Sequence, residues 1–208
     1  MNKKLLNQFF KDNSEKSDIP SAAAMTHFSI LLEDNTELKG VFNEKIEELI
    51  FSEKPNRKEK VMETQKIIES ITSWEEIVKL MRRGVDTMCQ SILINKALEY
   101  EDELIPDVLK RFKTSLNVSF IENAVRVLAR CNKDIADEIH DYYDDMRSPY
   151  AQSLALLVLG FKADDTYIPW LIDKHDKLKR SYPNENYHEG AYYALYEIER
   201  RFDLYDGN

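Results

Sequence analysis

The 208-residue chain has 32% charged and 43% hydrophobic residues and a formal net charge of −9, which is ordinary for a soluble, mostly helical protein. The charge is uneven, because residues 1–100 carry 15 basic and 17 acidic side chains whereas residues 101–208 carry 14 and 21. An acidic second half argues against binding to a nucleic-acid backbone, which needs clustered lysine and arginine. The length suits a single domain, 1–208.

The N-terminal residues do not have the pattern of a signal peptide. Only six residues separate Lys4 from Lys11, which is too short and too polar a stretch for that role. No apolar run approaches the ~20 residues of a membrane span. Cys89 and Cys131 lack C-x-x-C spacing and are predicted to be buried, reduced thiols. We therefore expect a cytoplasmic protein that is not bound to a membrane.

Residues 1–72 are predicted to form three or four helices without a clear repeat. Each has apolar residues at helical spacing, which indicates one face turned toward a core. The second helix has its predicted inward face at Ala24, Phe28, Leu31 and Leu32, and the third at Leu38, Val41, Phe42, Ile46, Leu49 and Ile50.

Residues 73–202 are predicted to form helix pairs, followed by a short polar tail, 203–208. A capping box at Ser73 and Glu76 starts the first pair, and Gly84 ends its first helix. Later first helices open at Leu104-Ile105-Pro106 and Tyr167-Ile168-Pro169-Trp170, with a middle one carrying Ile135, Ile139, Tyr142 and Met146. The second helices align with a small residue at Ala124, Ser153 and Ala191, and a leucine four places later at Leu128, Leu157 and Leu195.

This repeated helix pair resembles HEAT repeats, which stack antiparallel helix pairs into curved arrays. The resemblance covers residues 103–202 most clearly and rests on Ile105-Pro106, Ile168-Pro169 and the aligned second helices. It implies an all-α fold, a right-handed α–α superhelix preceded by a helical N-terminal region. A simple helical bundle is the alternative fold.

Some HEAT-like proteins are enzymes, and two of their site patterns can be compared with this chain. The HEAT-like hydroxylases bind two irons through several His-Glu dipeptides, whereas this chain has His188-Glu189 alone, with Glu122-Asn123 and Ala151-Gln152 at the equivalent positions. The HEAT-like glycosylases hold DNA in a basic groove lined with tryptophan, and no basic groove emerges around Trp74 or Trp170. We therefore predict no cofactor and no catalysis; an enzyme that acts on nucleic acid or uses a metal is the alternative.

A second possible metal site consists of Asp137, His140, Asp141 and Asp144, which share one helical face. Carboxylate and imidazole ligands at that spacing could take a divalent metal. However, the same helix is predicted to turn Ile139 and its apolar neighbours inward. The acidic face is therefore predicted to point into water, and we assign no metal ligands.

The remaining signal is a surface for a partner protein. Ten of the eleven tyrosines lie between Tyr142 and Tyr205, and tyrosine is enriched in protein interfaces. In the HEAT-like family the second helices line the concave face, and Tyr193, Glu197 and Arg200 are predicted to point away from the core. The candidate partner-binding residues are Glu122, Arg126, Arg130, Tyr192, Tyr193, Tyr196 and Glu197.

These residues predict a non-catalytic protein–protein interaction module or scaffold. Because the second half is acidic, its partner is expected to be another protein with a basic surface. One specialised form of this hypothesis is an immunity or antitoxin-like protein that blocks a basic toxin.

Overall fold

A computed structural model describes residues 2–13 and 20–204, and throughout these ranges every regular element is helical. The all-α prediction is therefore confirmed. The predicted tail, 203–208, lies outside the described residues from 205 onward. The α-helices are α1 (Asn2–Asp12), α2 (Ala22–Asp34), α3 (Thr36–Glu53), α4 (Pro55–Ser70), α5 (Trp74–Arg83), α6 (Thr87–Leu98), α7 (Glu101–Phe112), α8 (Val118–Arg130), α9 (Ala136–Tyr142), α10 (Pro149–Lys162), α11 (Ile168–Ser181) and α12 (Glu189–Phe202). Short 3-10 helices occupy Tyr143–Asp145 and Asp165–Tyr167.

The chain divides into two compact units. Unit one contains residues 1–27, 113–116 and 133–208, and unit two contains residues 28–112 and 117–132. In unit one, α12 packs against α10 and α11, and α1 packs against α11. In unit two, α5 packs against α6, α7 and α8, and α4 packs against α6. The division into segments 1–72 and 73–202 stays a prediction.

The core of unit one lies between α10 and α12. Every residue from Leu154 to Leu159 is buried, so α10 is enclosed on all of its faces. A β-carbon built at Gly190 would lie 1.8 Å from the carbonyl oxygen of Ser153, and one at Gly160 would lie 2.5 Å from Cα of Ala194. The absence of side chains at these two glycines therefore allows the helix backbones to approach closely.

The aligned positions of the second helices are buried as predicted. Each of these residues is at most 4% exposed, and they are Ala124, Ser153, Ala191, Leu128, Leu157 and Leu195. The stripe of the middle first helix, which includes Ile139 and Tyr142, is also buried. Both cysteines are free and buried, in agreement with the prediction for Cys89 and Cys131.

Two predicted helix starts differ in detail. The helix predicted to open at Leu104 begins at Glu101, so Pro106 lies inside it rather than in its first turn. Ser73 occupies the N-cap position of α5 without a capping bond to the backbone, because its hydroxyl donates to the carboxylate of Glu75. Gly84 ends α5 at a φ of 70°, a left-handed conformation that glycine adopts without strain.

The predicted inward face of α3 is wrong, and that of α2 is partly wrong. In α2, Leu32 is buried as predicted and Ala24 and Leu31 are half-buried, but Phe28 is exposed and the buried face also includes Thr26 and His27. In α3, the predicted stripe is mostly exposed: Leu38, Val41, Phe42 and Leu49 face solvent, Ile46 is half-buried, and the side chain of Ile50 lies outside the described residues. Because the buried face of α2 includes polar residues, the spacing of its apolar residues does not predict the orientation of the helix.

None of the described helices combines the length and the apolar character that crossing a membrane requires.

Candidate functional site

The most unusual side chain of unit one is Glu197 in the middle of α12, which is fully buried. One of its carboxylate oxygens, Oε1, lies 2.6 Å from Nε2 of His27 in α2. Its other oxygen, Oε2, accepts from Nε and Nη2 of Arg200 at 3.0 and 2.8 Å. The prediction that Glu197 points away from the core is therefore wrong, because its side chain is fully buried and contacts His27 of α2. Glu197 is unsuited to direct contact with a partner.

The charge of Glu197 is stabilised by its two partners. Burial alone would raise the pKa of this carboxyl, but the hydrogen bonds from His27 and Arg200 outweigh it and lower the pKa below the ordinary value. A buried carboxylate with donors on both oxygens satisfies the requirement that buried charges be paired. The cluster of His27, Glu197 and Arg200 therefore attaches α2 to α12 beneath the surrounding rings.

Aromatic rings surround the His27 side chain. Its ring centroid lies 5.0 Å from that of Tyr193 and 5.9 Å from those of Tyr196 and Phe161. Tyr193 is half-buried and Tyr196 is 44% exposed. We call Tyr193 and Tyr196 the tyrosine rim. These two candidate residues lie over the buried pair and present ring surface to solvent from a rigid helix, as tyrosines at interfaces do.

The third candidate tyrosine, Tyr192, belongs to another aromatic cluster. Its ring lies 5.4 Å from Phe10 and 6.1 Å from Phe9, both on α1. Phe9 also contacts His175 edge-on at 4.8 Å, and His175 in turn contacts His188 at 5.2 Å. Tyr192 is half-buried here, so its main contacts attach α1 to α11 and α12.

Burial determines the protonation of the two histidines in this cluster. It lowers the pKa of His175, although the hydrogen bond between Nδ1 of His175 and the carboxylate of Asp176, 2.9 Å long, opposes the shift. Burial likewise lowers the pKa of His188, whose Nδ1 is buried and has no hydrogen-bond partner within the described part of the chain. Both imidazoles are therefore favoured in their neutral form at neutral pH.

The candidate residues on α8 belong to unit two and are engaged there. Arg126 donates to the hydroxyl of Ser29 at 3.0 Å and lies 3.8 Å from the carboxylate of Glu122. Arg130 donates to Asn95 at 3.0 Å and lies 3.9 Å from the carboxylate of Glu33. Most of both arginine side chains is buried. These contacts connect α8 with α2 and α6, and a partner-binding role for Glu122, Arg126 and Arg130 stays a prediction.

The His188-Glu189 dipeptide does not form part of a metal cluster. Glu189 accepts a hydrogen bond from the hydroxyl of Ser21 at 2.5 Å, and Ser21 also caps the backbone of α2 at Ala24. Throughout residues 2–13 and 20–204 no group of three or more His, Cys, Asp or Glu side chains is arranged to hold a metal ion.

A groove of about 280 Å³ adjoins Ser21 and is lined by Tyr150, Asn186 and Tyr187, among other residues. The groove lies beside the first turn of α2, where an anion would be favoured. The carboxylate of Glu189 already accepts from Ser21 at this end. The groove is therefore not a free anion site.

The acidic side chains of α9 point outward, as predicted: Asp137 and Asp141 are exposed, and the His140 side chain is 40% exposed. Asp144 is also exposed, but it lies in the 3-10 helix Tyr143–Asp145 that follows α9. The ring of His140 lies beside the rings of Tyr167 and Trp170.

The sequence did not reveal His27 or Phe161 as members of the site. His27 and Glu197 are 170 positions apart, and a single histidine among apolar residues has no spacing that indicates its partner. The one sequence feature that could have indicated a buried histidine is the position of His27 on the same helical face as Ala23 and Ile30, both of which are buried.

No family model, no curated protein and no solved structure matches this chain.

Proposed function

We propose that the chain is a non-catalytic protein-binding module, a HEAT-like array of helix pairs whose partner is a protein with a basic surface. The observation that carries this proposal is the tyrosine rim, Tyr193 and Tyr196, held over the buried His27–Glu197 pair. Tyrosine offers a large contact area at low cost in side-chain entropy, and its hydroxyl tolerates partial exposure.

The rigidity of the rim supports a binding role. α12 is fixed against α10 through Gly190 and Gly160 and against α2 through Glu197. Because both rings pack on His27, binding them should cost less conformational entropy than binding side chains without such contacts. A preorganised aromatic surface is typical of the residues that dominate binding energy in interfaces.

The charge of the second half supports a basic partner. Residues 101–208 carry 21 acidic and 14 basic side chains, and a field of one sign speeds association with a partner of the opposite sign. An immunity or antitoxin-like protein that blocks a basic toxin is the specialised form of this proposal. An enzyme on the same scaffold, acting on nucleic acid or using a metal, is the alternative class.

The test begins with isolation of the partner from an extract of the cells that produce the chain, followed by measurement of its Kd. We expect replacement of both Tyr193 and Tyr196 by serine to weaken binding by about 10-fold or more, because truncated aromatic anchors dominate interface energy. Tyr182→Ser is the matched control, because Tyr182 is an exposed tyrosine of the same unit.

The single variant Tyr196→Ser separates a loss of binding from a loss of folding, because nearly half of this side chain is exposed and its removal should not unfold the protein. It should keep the wild-type melting temperature and still weaken the complex. A folded Tyr196→Ser variant and a folded double variant that both bind as tightly as Tyr182→Ser would overturn the proposal.

A further inference from the structure

A second group of rings lies on unit one, where α9 and its 3-10 extension meet α11. We call His140, Tyr143, Tyr167 and Trp170 the aromatic patch. The Trp170 ring lies 4.7 Å from His140, 5.1 Å from Tyr143 and 6.4 Å from Tyr167. His140 also contacts Tyr167 edge-on at 5.5 Å. Tyr143 is buried beneath the other three, which are partly exposed.

The inner side of the aromatic patch already holds a cation. Nζ of Lys174 lies 5.1 Å from the centroid of Trp170 and 5.3 Å from that of Tyr143. The same ammonium group donates to both carboxylate oxygens of Asp144 at 2.9 and 3.0 Å. The hydrogen bond from Lys174 lowers the pKa of Asp144. This arrangement combines ring faces with a carboxylate to hold one positive charge, as cation–π sites do.

The outer side of the aromatic patch also combines aromatic rings with carboxylates, and here the carboxylates are exposed to solvent. The Tyr167 hydroxyl donates to Asp137, whose side chain is exposed. Asp141 lies 3.7 Å from His140 and is 83% exposed. Burial, followed by the bond to Asp137, raises the pKa of Tyr167, so the phenol keeps the proton that orients this carboxylate.

We propose that the outer side of the aromatic patch binds an arginine side chain of a basic protein segment. Because the rings of Tyr167 and Trp170 meet at 81°, a guanidinium group can stack on one of these exposed rings while its N–H groups reach Asp137 and Asp141. Arginine suits such a site better than lysine, because its planar group stacks on aromatic faces and donates to carboxylates in two directions. This inference deepens the proposed function and rests on it for the claim that the partner is a protein.

Charge complementarity favours a basic segment as the occupant. The segment from Asp134 to Asp145 contains six acidic residues and no lysine or arginine. Asp144 pairs with Lys174 and Lys177, and Asp145 pairs with Lys113, while Asp141 lies 3.7 Å from His140. Asp137 and Asp141 are exposed beside the rings, so a partner's cation would meet carboxylate and aromatic ring together.

The experiment uses the full chain with Trp74→Phe, so that Trp170 is its only tryptophan and reports on the patch. The probe is a peptide of eight arginines, and the comparison is a peptide of eight lysines with the same charge. We expect saturable changes of Trp170 emission with the arginine peptide and a Kd about 10-fold lower than for the lysine peptide.

Two variants locate the effect on the aromatic patch. Tyr167→Leu and Asp141→Asn should each weaken binding of the arginine peptide by about 10-fold. Glu138→Gln is the matched control: it removes one charge from an exposed position of α9, on the side of Tyr142, and should leave the Kd unchanged. Because Asp141 is mostly in water, Asp141→Asn should fold even where Tyr167→Leu does not.

Equal affinity for the two peptides, or an equal loss in Glu138→Gln and Asp141→Asn, would mean attraction by net charge only and would overturn the proposal. The outcome is separable from the test of the tyrosine rim. If the Tyr193 and Tyr196 variants lose binding to the natural partner and the peptide test fails, the protein-binding module is supported and the arginine site is ruled out. If the peptide test succeeds and the Tyr193 and Tyr196 variants still bind the natural partner, the arginine site is supported and the tyrosine rim is ruled out as the binding surface.

Discussion

α3 was predicted to bury an apolar stripe and α12 to bury Ala191 and Leu195, yet the structure buries the second set and exposes most of the first. In α12, Leu195 and Ile198 are fully buried, and even the charged Glu197 lies inside. In α3, Val41 and Leu49 are more than half exposed. The regular spacing of apolar residues therefore predicts a helix with a stripe and does not predict that a neighbour covers it.

The difference lies in what each helix meets. α12 approaches α10 so closely that a β-carbon at Gly190 has no room, whereas a β-carbon at Gly40 of α3 would meet nothing within 4 Å. α12 packs against α10 and α11, while the main neighbour of α3 is α4. Burial thus follows from the number of partners and from the small residues that admit them. Matched substitutions in the two regions test this comparison.

The largest contrast is expected for two leucines. Leu157→Ala in α10, which packs on α12, removes a fully buried side chain and should lower the free energy of unfolding by about 2–5 kcal/mol. Leu49→Ala in α3 removes a side chain that is 61% exposed and should change it by less than about 0.5 kcal/mol. Chemical denaturation of both variants makes the measurement, and similar losses would remove the distinction between the two regions.

Two glutamates provide the next contrast. Glu197→Ala leaves His27 buried without its carboxylate and should cost about 3 kcal/mol, as in other buried pairs that lose one partner. Glu48→Ala in α3 removes an ion pair whose glutamate side chain is 73% exposed, and such pairs contribute little. Urea midpoints of the two variants give the answer. A Glu197→Ala variant as stable as Glu48→Ala would show that the buried cluster does not hold α2 on α12.

The two glycines should respond with opposite signs. Gly190→Ala forces α12 away from Ser153 of α10 and should destabilise the protein by about 1–3 kcal/mol. Gly40→Ala has open space and should stabilise α3 by about 0.5–1 kcal/mol, because alanine is the better helix former. Thermal melting of both variants is sufficient, and a stabilised Gly190→Ala variant would contradict the close packing.

The smallest effect concerns pH. All four histidines, His27, His140, His175 and His188, belong to unit one. Burial lowers the pKa of His175 and His188 below the ordinary value of 6.5, so the unfolded chain takes up protons first as the pH falls. Their contribution to stability is complete above pH 6.5 and is lost as the pH falls through their lowered values.

Hydrogen exchange measures this effect in each region. Between pH 7.5 and 5.5, after correction for the intrinsic exchange rate, protection should fall in α11 and α12 more than in α7 and α8. His175 faces Phe9, Asp176, His188 and Lys179. A uniform fall in both regions would point to a cause other than the two histidines.

Much of the helical structure of residues 73–202 could be predicted from local patterns, whereas their arrangement as a superhelix stays a prediction. Pro149 and Pro169 stand in the first turns of α10 and α11, and Gly84 ends α5, because these residues have strong positional preferences. The small residues and leucines of the second helices are buried as their alignment predicted. These signals are local, so one sequence is enough to reveal them.

The candidate site was harder to predict, because its determinants are distant in sequence. The orientation of Glu197 depends on His27, which lies on a helix whose buried face is partly polar. The tyrosine rim could be located from composition and helical spacing, whereas its support could not. The aromatic patch likewise needs α9 and α11 brought together, and Trp170 alone gave no indication of Lys174 beneath it.

The most direct test of the proposed function is the salt dependence of association with the natural partner. Between about 10 mM and about 150 mM salt, the screening length falls from about 30 Å to about 8 Å. If the acidic second half of the chain steers a basic partner, the association rate constant should fall by about 10-fold or more while the dissociation rate changes little. An association rate that stays constant across this range would contradict the account.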